Sequence, residues 1–393
     1  MISEGMAIVV EEVAKRDRRS AIGIVIPARN ESGFVIRTLQ TLAAQEARDR
    51  CEVVVVENGS DDDTASQVAE FAAQTRLQVT LLRLDPASAV AARIHGVDYL
   101  MGQEEPPAML VSADADTTYS AGWLSALEDA VEAGADVVAT AGYMDPVLWS
   151  WCPTLTSRYV ERIGTIFFDP DTTKSLGVDE STCLFTTQVY EDFGRPLCAP
   201  GFGITAACYR QLGGFRREHY DAGATREILI AGLPLMFRAE LNAFRVAYVR
   251  APWWQTSPRR LVSEPEIQLG RTLQDTDMFP YREVAPEAYT KFDQAADDVN
   301  YQDLLLNCVR DYLLTPCLTR PQLLRRNAAY FGRLAGELNQ TINRWHAERF
   351  LPEPRHLFDL ATDLTETHGS WVLETFAEFR GRQREQPDSL LHN

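Results

Sequence analysis

The residues best placed to do chemistry are Asp114 and Asp116, in the run Ser112-Ala113-Asp114-Ala115-Asp116-Thr117. They close an apolar stretch, Ala108-Met109-Leu110-Val111, that reads as a buried strand. Two carboxylates one residue apart, at the mouth of a parallel sheet, can hold a divalent cation against a diphosphate. Mg²⁺ and Mn²⁺ take oxygen ligands and keep several waters, so one or two carboxylates suffice. The pattern points to chemistry on an activated phosphate compound. An isolated Asp-x-Asp is more simply a capping turn between strand and helix, so the surrounding elements must decide.

Those elements alternate. Ile22 to Ile26 is a strand-like run ended by Pro27, and Glu31 to Ala44 places Phe34, Val35, Thr38, Leu39 and Leu42 at helical spacing. The valines 53 to 56 form a second strand bounded by the turn signal Asn58-Gly59. Asp61, Asp62 and Asp63 open the next helix, where acidic groups complement the helix dipole. Leu77 to Leu84 is a third strand, Ala87 to Leu100 a helix, and Ala108 to Ser112 a fourth strand. A helix follows from about Gly122, then a strand from Asp136 to Thr140. This alternation indicates a parallel α/β sheet, whose ligands bind at the C-terminal ends of the strands. Those ends carry Pro27-Ala28-Arg29-Asn30-Glu31, Glu57-Asn58-Gly59-Ser60 and Asp114-Ala115-Asp116, three polar segments facing one crevice.

Beyond residue 150 the pattern loosens. Gly201-Phe202-Gly203 begins a new structured block, a helix covers Ile228 to Leu241, and Phe244 to Val249 is a strand. From about Tyr301 the chain reads as helices, over Asp303 to Leu314, Pro321 to Phe350 and Leu357 onward.

Composition narrows the partners. The 393 residues allow two domains, or one large domain with an appendage. A net charge of −18 disfavours nucleic acid and anionic membrane surfaces. No run approaches the roughly eighteen apolar residues that span a bilayer, and Met1 to Ser20 lacks the apolar core and cleavage site of a signal peptide. The seven cysteines are scattered without CxxC spacing, which fits reduced thiols in a cytoplasm, and Cys51 and Cys208 read as packing residues.

Other clusters are weaker. Asp61-Asp62-Asp63 reads as a solvated helix start rather than a metal site, and Asp169-Pro170-Asp171 and Asp275-Thr276-Asp277 follow no convincing strand. His95 reads as a helix-surface histidine, and His219 follows a Gly-Gly-Phe block near the site. Trp253-Trp254 and Tyr143 either stack on a sugar or aglycone or belong to core or interface. Arg259-Arg260 either clamps a diphosphate bidentately or is a basic loop end.

Taken in order, these segments resemble the family 2 glycosyltransferases, which have the GT-A fold. The resemblance rests on Ile24-Val25-Ile26-Pro27-Ala28-Arg29-Asn30-Glu31, Val55-Val56-Glu57-Asn58-Gly59-Ser60-Asp61-Asp62, and Ala91-Ala92-Arg93 with Gly96. It continues through Asp114-Ala115-Asp116, Leu212-Gly213-Gly214-Phe215, Arg238 and Phe244-Arg245-Val246, spanning about residues 21 to 260. It implies an α/β GT-A domain over 21–260, with a nucleotide-binding half (21–117) and an acceptor half (118–260). An N-terminal extension (1–20) precedes it, and a mainly helical C-terminal region (261–393) follows. Pro27 and Glu31 would border the nucleobase, with Ala28 in the same nucleotide-binding loop. Glu57 stands where the family has an Asp that binds base or ribose, and Arg93 would lie near the nucleotide. Asp114 would touch the ribose or the metal's water, and Asp116 would ligate Mg²⁺ or Mn²⁺.

The resemblance further implies metal-dependent transfer of a sugar from a nucleotide-diphospho-sugar to a hydroxyl of a small or soluble acceptor, with inversion. An inverting enzyme needs a general base. The family's Glu-Asp pair, seven residues before the arginine, is here Ala231-Gly232. Glu227, Asp221 and Glu218 lie just upstream; Glu227, at the start of the expected helix, is the preferred base, with Asp221 second. Ile94 replaces the Asn that follows the family's Ala-Arg, and the Gln-x-x-Arg-Trp of processive synthases is Gln268-Leu269-Gly270-Arg271-Thr272. The missing pair leaves open a catalytically silent protein that binds a sugar nucleotide. A sugar-phosphate nucleotidyltransferase ranks lower, because Ile26-Pro27-Ala28-Arg29-Asn30 lacks that class's glycine-rich loop. The helical C-terminal region either packs over the acceptor side or forms the contact of a homo-oligomer.

Overall fold

A computed structural model describes residues 9–11, 21–85, 88–144, 151–162, 189, 192–194, 200–219, 228, 232–257, 259, 290, 293–298, 300–349 and 356–385. Its strands are β1 (Val9–Glu11), β2 (Ile22–Ala28), β3 (Cys51–Asn58), β4 (Gln78–Leu84), β5 (Met109–Ser112), β6 (Thr117–Tyr119), β7 (Val137–Met144), β8 (Phe202–Thr205) and β9 (Val246–Thr256). They form one sheet in the order β1-β4-β3-β2-β5-β8-β7-β9-β6. The block β4-β3-β2-β5 is parallel, as the alternating pattern predicts. The sheet as a whole is mixed. Strand β8 runs antiparallel between β5 and β7, and β1 and β6 are antiparallel edge strands.

The parallel strands are apolar through their centres because helices cover both faces. The pleat sends Ile24, Ile26, Val53 and Val55 to one face. There they pack on α1 (Phe34–Ala43), α2 (Thr64–Gln74) and α4 (Trp123–Glu132). Val25, Val54 and Val56 point to the other face, against α3 (Ala89–Met101). Gly96 lets α3 come close: a Cβ there would lie 2.5 Å from a Val25 methyl and 3.0 Å from one of Val56. That proximity sets where Arg93, one turn earlier on α3, meets the sheet.

The second face is completed by later elements. These are α5 (Pro153–Arg162), α6 (Ala206–Gln211), α7 (Gly232–Leu241), α8 (Tyr301–Cys308), α9 (Thr315–Thr319), α10 (Pro321–Arg326), α11 (Leu334–Glu348) and α12 (Leu357–Glu385). A π-helical turn, Val309–Leu314, joins α8 to α9. The C-terminal helices share the hydrophobic core of the sheet: Phe237 of α7 meets Phe358 of α12 at 5.6 Å, and Phe193 meets Phe331 at 6.0 Å.

Several boundaries differ from the sequence expectation. The helix expected over Ile228 to Leu241 begins at Gly232, and the Ile228 N–H instead donates to the Glu218 carbonyl at 2.7 Å. The strand expected to stop at Val249 runs to Thr256, because pairing with β7 and β6 carries it past Pro252. The single helix expected from Pro321 to Phe350 is broken into α10 and α11. Gly332 adopts φ +53, a left-handed conformation that a helix cannot continue through. Asp169, Asp171, Asp275, Asp277 and the Gln268–Thr272 run lie outside the described residues.

Candidate functional site

The loops after β2 and β3 start level with one another, since Ala28 pairs with Glu57 in the parallel register. Asn30, at φ +54, turns the first loop; its N–H donates to Ser60 Oγ at 3.0 Å and its Oδ1 accepts the Asp61 N–H at 2.9 Å. Asn is one of the few residues other than glycine that tolerates this geometry. The Glu31 N–H donates to Thr64 Oγ1 at 2.8 Å, and the Ser32 N–H to Asp62 Oδ2 at 3.1 Å. The Glu57 carboxylate accepts the Ser60 N–H. Asp62 thus serves as a loop tie at the start of α2, where a negative charge suits the helix dipole.

Both aspartates of the Asp-x-Asp run meet an arginine. Arg93, buried on α3, donates from Nε to Ser112 Oγ at 3.1 Å and from Nη2 to Asp114 Oδ1. The Asp114 N–H donates to the Tyr119 hydroxyl oxygen at 3.1 Å, and that hydroxyl donates to the Pro200 carbonyl at 2.9 Å. Burial, then the charge of Asp114, pushes the Tyr119 phenol well above its ordinary value, so it stays a neutral donor. Thr38 Oγ1 donates to the Ala115 carbonyl at 2.8 Å and fixes the turn between the aspartates.

Asp116 faces the end of β9. Its Oδ1 lies 3.3 Å from Thr256 Oγ1 and its carbonyl accepts the Ser257 N–H at 3.0 Å. Its Oδ2 lies 3.5 Å from Arg259 Nη2, which also donates to Glu31 Oε2. The Arg259 guanidinium sits 4.0 Å from the centroid of the Phe34 ring, a cation–π contact. All three side chains of this ion-pair set are at least 97% buried, at 1% exposure for Glu31, 2% for Arg259 and 3% for Asp116. The structure therefore brings Glu31, Glu57, Arg93, Asp114, Asp116 and Arg259 to the C-terminal ends of the parallel strands, with Pro27 and Ala28 closing β2 beneath them.

The remaining expected residues fall elsewhere. Glu227, Asp221 and Arg260 lie outside the described residues. Glu218 is held 3.2 Å from Arg238 Nε and 3.3 Å from His356 Nε2, and Arg238 also donates to the Leu212 carbonyl at 2.5 Å. Trp254 is buried and fills the space over two glycines: a Cβ on Gly142 or Gly201 would fall within 1.9 Å of its ring. Its indole N–H reaches the Thr140 carbonyl at 3.3 Å, so it is a core residue. Trp253 is 37% exposed. His95 and His219 are half-buried. Burial pushes the Cys51 and Cys208 thiols up to about 12, as suits packing residues.

Sequence reasoning missed Tyr119, Thr256 and Phe34 as parts of the site. Tyr119 and Thr256 lie on β6 and β9, whose pairing has no local signature, and Phe34 reads only as a helical apolar position.

Among the described residues, no group of three or more His, Cys, Asp or Glu side chains could hold a metal ion by itself. Asp116 and Asp114 supply hard carboxylate oxygens, the kind of ligand that Mg²⁺ and Mn²⁺ take. Arginines beside these carboxylates suit the charge of a diphosphate.

Residues 23–190 match the model of the family described as Glycosyl transferase family 2. Over that segment the chain is similar to the family 2 glycosyltransferases, and a helical region follows toward the C-terminus. No curated protein sequence matches the chain significantly. Among solved structures it is similar to the mannosyltransferase PcManGT from Pyrobaculum calidifontis, in complex with GDP-Man and Mn²⁺. That match has 14% identity and a TM-score of 0.45, with 95% of this chain and 89% of that chain covered. It is also similar to S. aureus TarS 1-349 in complex with UDP-GlcNAc, at 15% identity and a TM-score of 0.41, with 93% and 91% covered. Among the described residues no helix is long and apolar enough to cross a membrane.

Proposed function

We propose that the protein moves a sugar from a nucleotide-diphospho-sugar to a hydroxyl of a small or soluble acceptor, in the cytoplasm, in a metal-dependent reaction with inversion. The observation that carries this reading is the meeting of Glu31, Asp114 and Asp116 with Arg93 and Arg259 at the strand ends. Pro27, Ala28, Glu31 and Glu57 border the nucleoside. Arg93, Asp114, Arg259 and Arg260 attend the ribose and diphosphate. Asp116, with Asp114, would hold Mg²⁺ or Mn²⁺, which when bound supplies charge neutralisation of the departing diphosphate.

In the inverting reaction the acceptor oxygen attacks the anomeric carbon from the face opposite the nucleotide. The bond from that carbon to the diphosphate oxygen breaks, and the nucleoside diphosphate leaves with the electron pair. The acceptor proton passes to a carboxylate, for which Glu227 is the first choice and Asp221 the second. A Glu227→Gln variant with near-normal turnover would remove Glu227 from this role.

A second reading is a catalytically silent sugar-nucleotide binder, favoured by Ala231-Gly232 standing in place of the family's carboxylate pair. Calorimetric titration of UDP, GDP and dTDP, with and without Mn²⁺, tests the donor site in wild type and Asp116→Ala. Metal-dependent binding of one nucleotide, lost in the variant, is expected. Binding without turnover of the matching sugar nucleotide would favour the silent reading. No binding under any condition would leave Asp114 and Asp116 as a capping turn.

A further inference from the structure

Arg259 reaches the site from the far end of the transferase domain. Its partner Glu31 is 228 residues away in sequence, and the pair is fully buried. The reach is fixed rather than incidental. The Ser257 N–H is bonded to the Asp116 carbonyl at 3.0 Å, and the Arg259 N–H lies 3.3 Å from Ser257 Oγ. The guanidinium is sandwiched between the Phe34 ring and two carboxylates, Glu31 and Asp116. Arg259 thus neutralises the same carboxylate that the donor-site reading gives to a divalent cation.

Two cations cannot share Asp116 without cost. A dication on this carboxylate would stand a few ångströms from the guanidinium, in a site where burial weakens screening. Each would weaken the other's hold. A nucleoside diphosphate changes the balance, because its oxygens can take the guanidinium bidentately and the dication together. We propose that Arg259 couples metal binding to nucleotide binding: it occupies the charge position beside Asp116 until a diphosphate offers it an alternative partner. This rests on the donor-site reading above. Linkage then requires metal and nucleotide to raise each other's affinity by the same factor. Arg259 is a binding residue in this scheme, and its charge governs when Asp116 is available.

The test is Mn²⁺ binding, read from the electron paramagnetic resonance of free Mn²⁺, with and without UDP, GDP or dTDP. Wild type, Arg259→Met, Arg259→Lys and Glu31→Gln are compared. In wild type, Mn²⁺ alone binds weakly, and the matching nucleotide tightens it by about ten-fold or more, within the usual range of coupling. Arg259→Met is expected to bind Mn²⁺ alone about ten-fold more tightly than wild type, to bind nucleotide more weakly, and to lose most of the coupling. Arg259→Lys should retain part of the coupling. Glu31→Gln, which leaves Asp116 as the remaining carboxylate of the pair, should weaken Mn²⁺ alone still further. Circular dichroism establishes that each variant is folded; should Arg259→Met fail to fold, Arg259→Lys and Glu31→Gln decide the matter. Mn²⁺ affinity unchanged by these substitutions, or nucleotide binding indifferent to Mn²⁺, overturns the proposal while leaving the donor site standing. No nucleotide bound by wild type at any Mn²⁺ concentration overturns the donor site itself.

Discussion

Two sets of paired arginines and carboxylates hold this chain together, one fully buried around Arg259 and one half-buried, and they are built differently. At the strand ends, Glu31, Asp114 and Asp116 meet Arg93 and Arg259, and Glu57 stands near the end of β3. Carboxylates outnumber guanidinium groups there. Between the sheet and the C-terminal helices, Arg238 joins Glu218 and Arg320 joins Glu240. Each of these arginines also donates to a backbone carbonyl, Leu212 for Arg238 and Phe193 for Arg320. Thr319 Oγ1 completes Glu240 at 2.6 Å. The second set pairs one arginine with one carboxylate and adds a backbone contact from each arginine, which makes it a strut. The first gathers excess negative charge where an α/β sheet binds ligands. The lesson is that an ion pair by itself does not mark a site; placement and charge imbalance set the two apart.

The comparison breaks if the strut affects binding or the strand-end set governs stability. The largest effect expected is on binding. Asp116→Ala should weaken metal-dependent nucleotide binding by about 10- to 100-fold, the range for losing one charge-assisted contact, while the melting temperature moves little. Arg320→Met should do the opposite, leaving nucleotide affinity unchanged and lowering stability by about 3 kcal/mol, because it strands a buried carboxylate. Urea unfolding and calorimetry on the two variants read both quantities.

Glu240 sharpens the contrast through pH. Burial raises its pKa, and Arg320 and Thr319 pull it back down. The folded-state value is thus above the unfolded one, so the group's contribution to stability is fully present below the unfolded value and is lost as pH rises through the folded one. Without Arg320 the rise is larger. The Arg320→Met deficit should therefore shrink as pH falls from neutral and the stranded carboxylate takes up a proton. A deficit that grows on acidification would show that Glu240 is not the stranded group.

A smaller effect links fold to site. Gly96→Ala pushes a methyl against Val25 and Val56, at about 1–3 kcal/mol for overpacking. It should also lift α3 and move Arg93 away from Asp114, weakening nucleotide binding a few-fold. Stability lost with no change in binding would separate Arg93 from the site.

Much of the parallel half was legible. The runs at 22–26, 53–56 and 108–111 are apolar because both faces are covered, the first two rich in β-branched residues, and each is followed by a polar turn. Asp114 and Asp116 could be singled out because they directly follow such a strand. The antiparallel insertion was not legible. Strand β8 is only four residues long and lies between β5 and β7 in space but far from both in sequence. Trp254 was ambiguous for the same reason: nothing local says that Gly142 and Gly201 open the space it fills. The helix break at Gly332 was missed because an isolated glycine in a helical pattern is usually tolerated.

By itself the sequence determined the parallel strand–helix repeat, the polar loops at the strand ends, the Asp-x-Asp pair and the family resemblance. These are local patterns, written within a few residues by side-chain period and turn chemistry. Only the tertiary structure decided which charges meet. It set Arg93 against Asp114, Tyr119 under the Asp114 N–H, and Arg259 between Glu31 and Asp116. Those partners are brought together by strand pairing and helix packing across long stretches of chain, and a pairwise charge contact leaves no trace in the residues on either side of it.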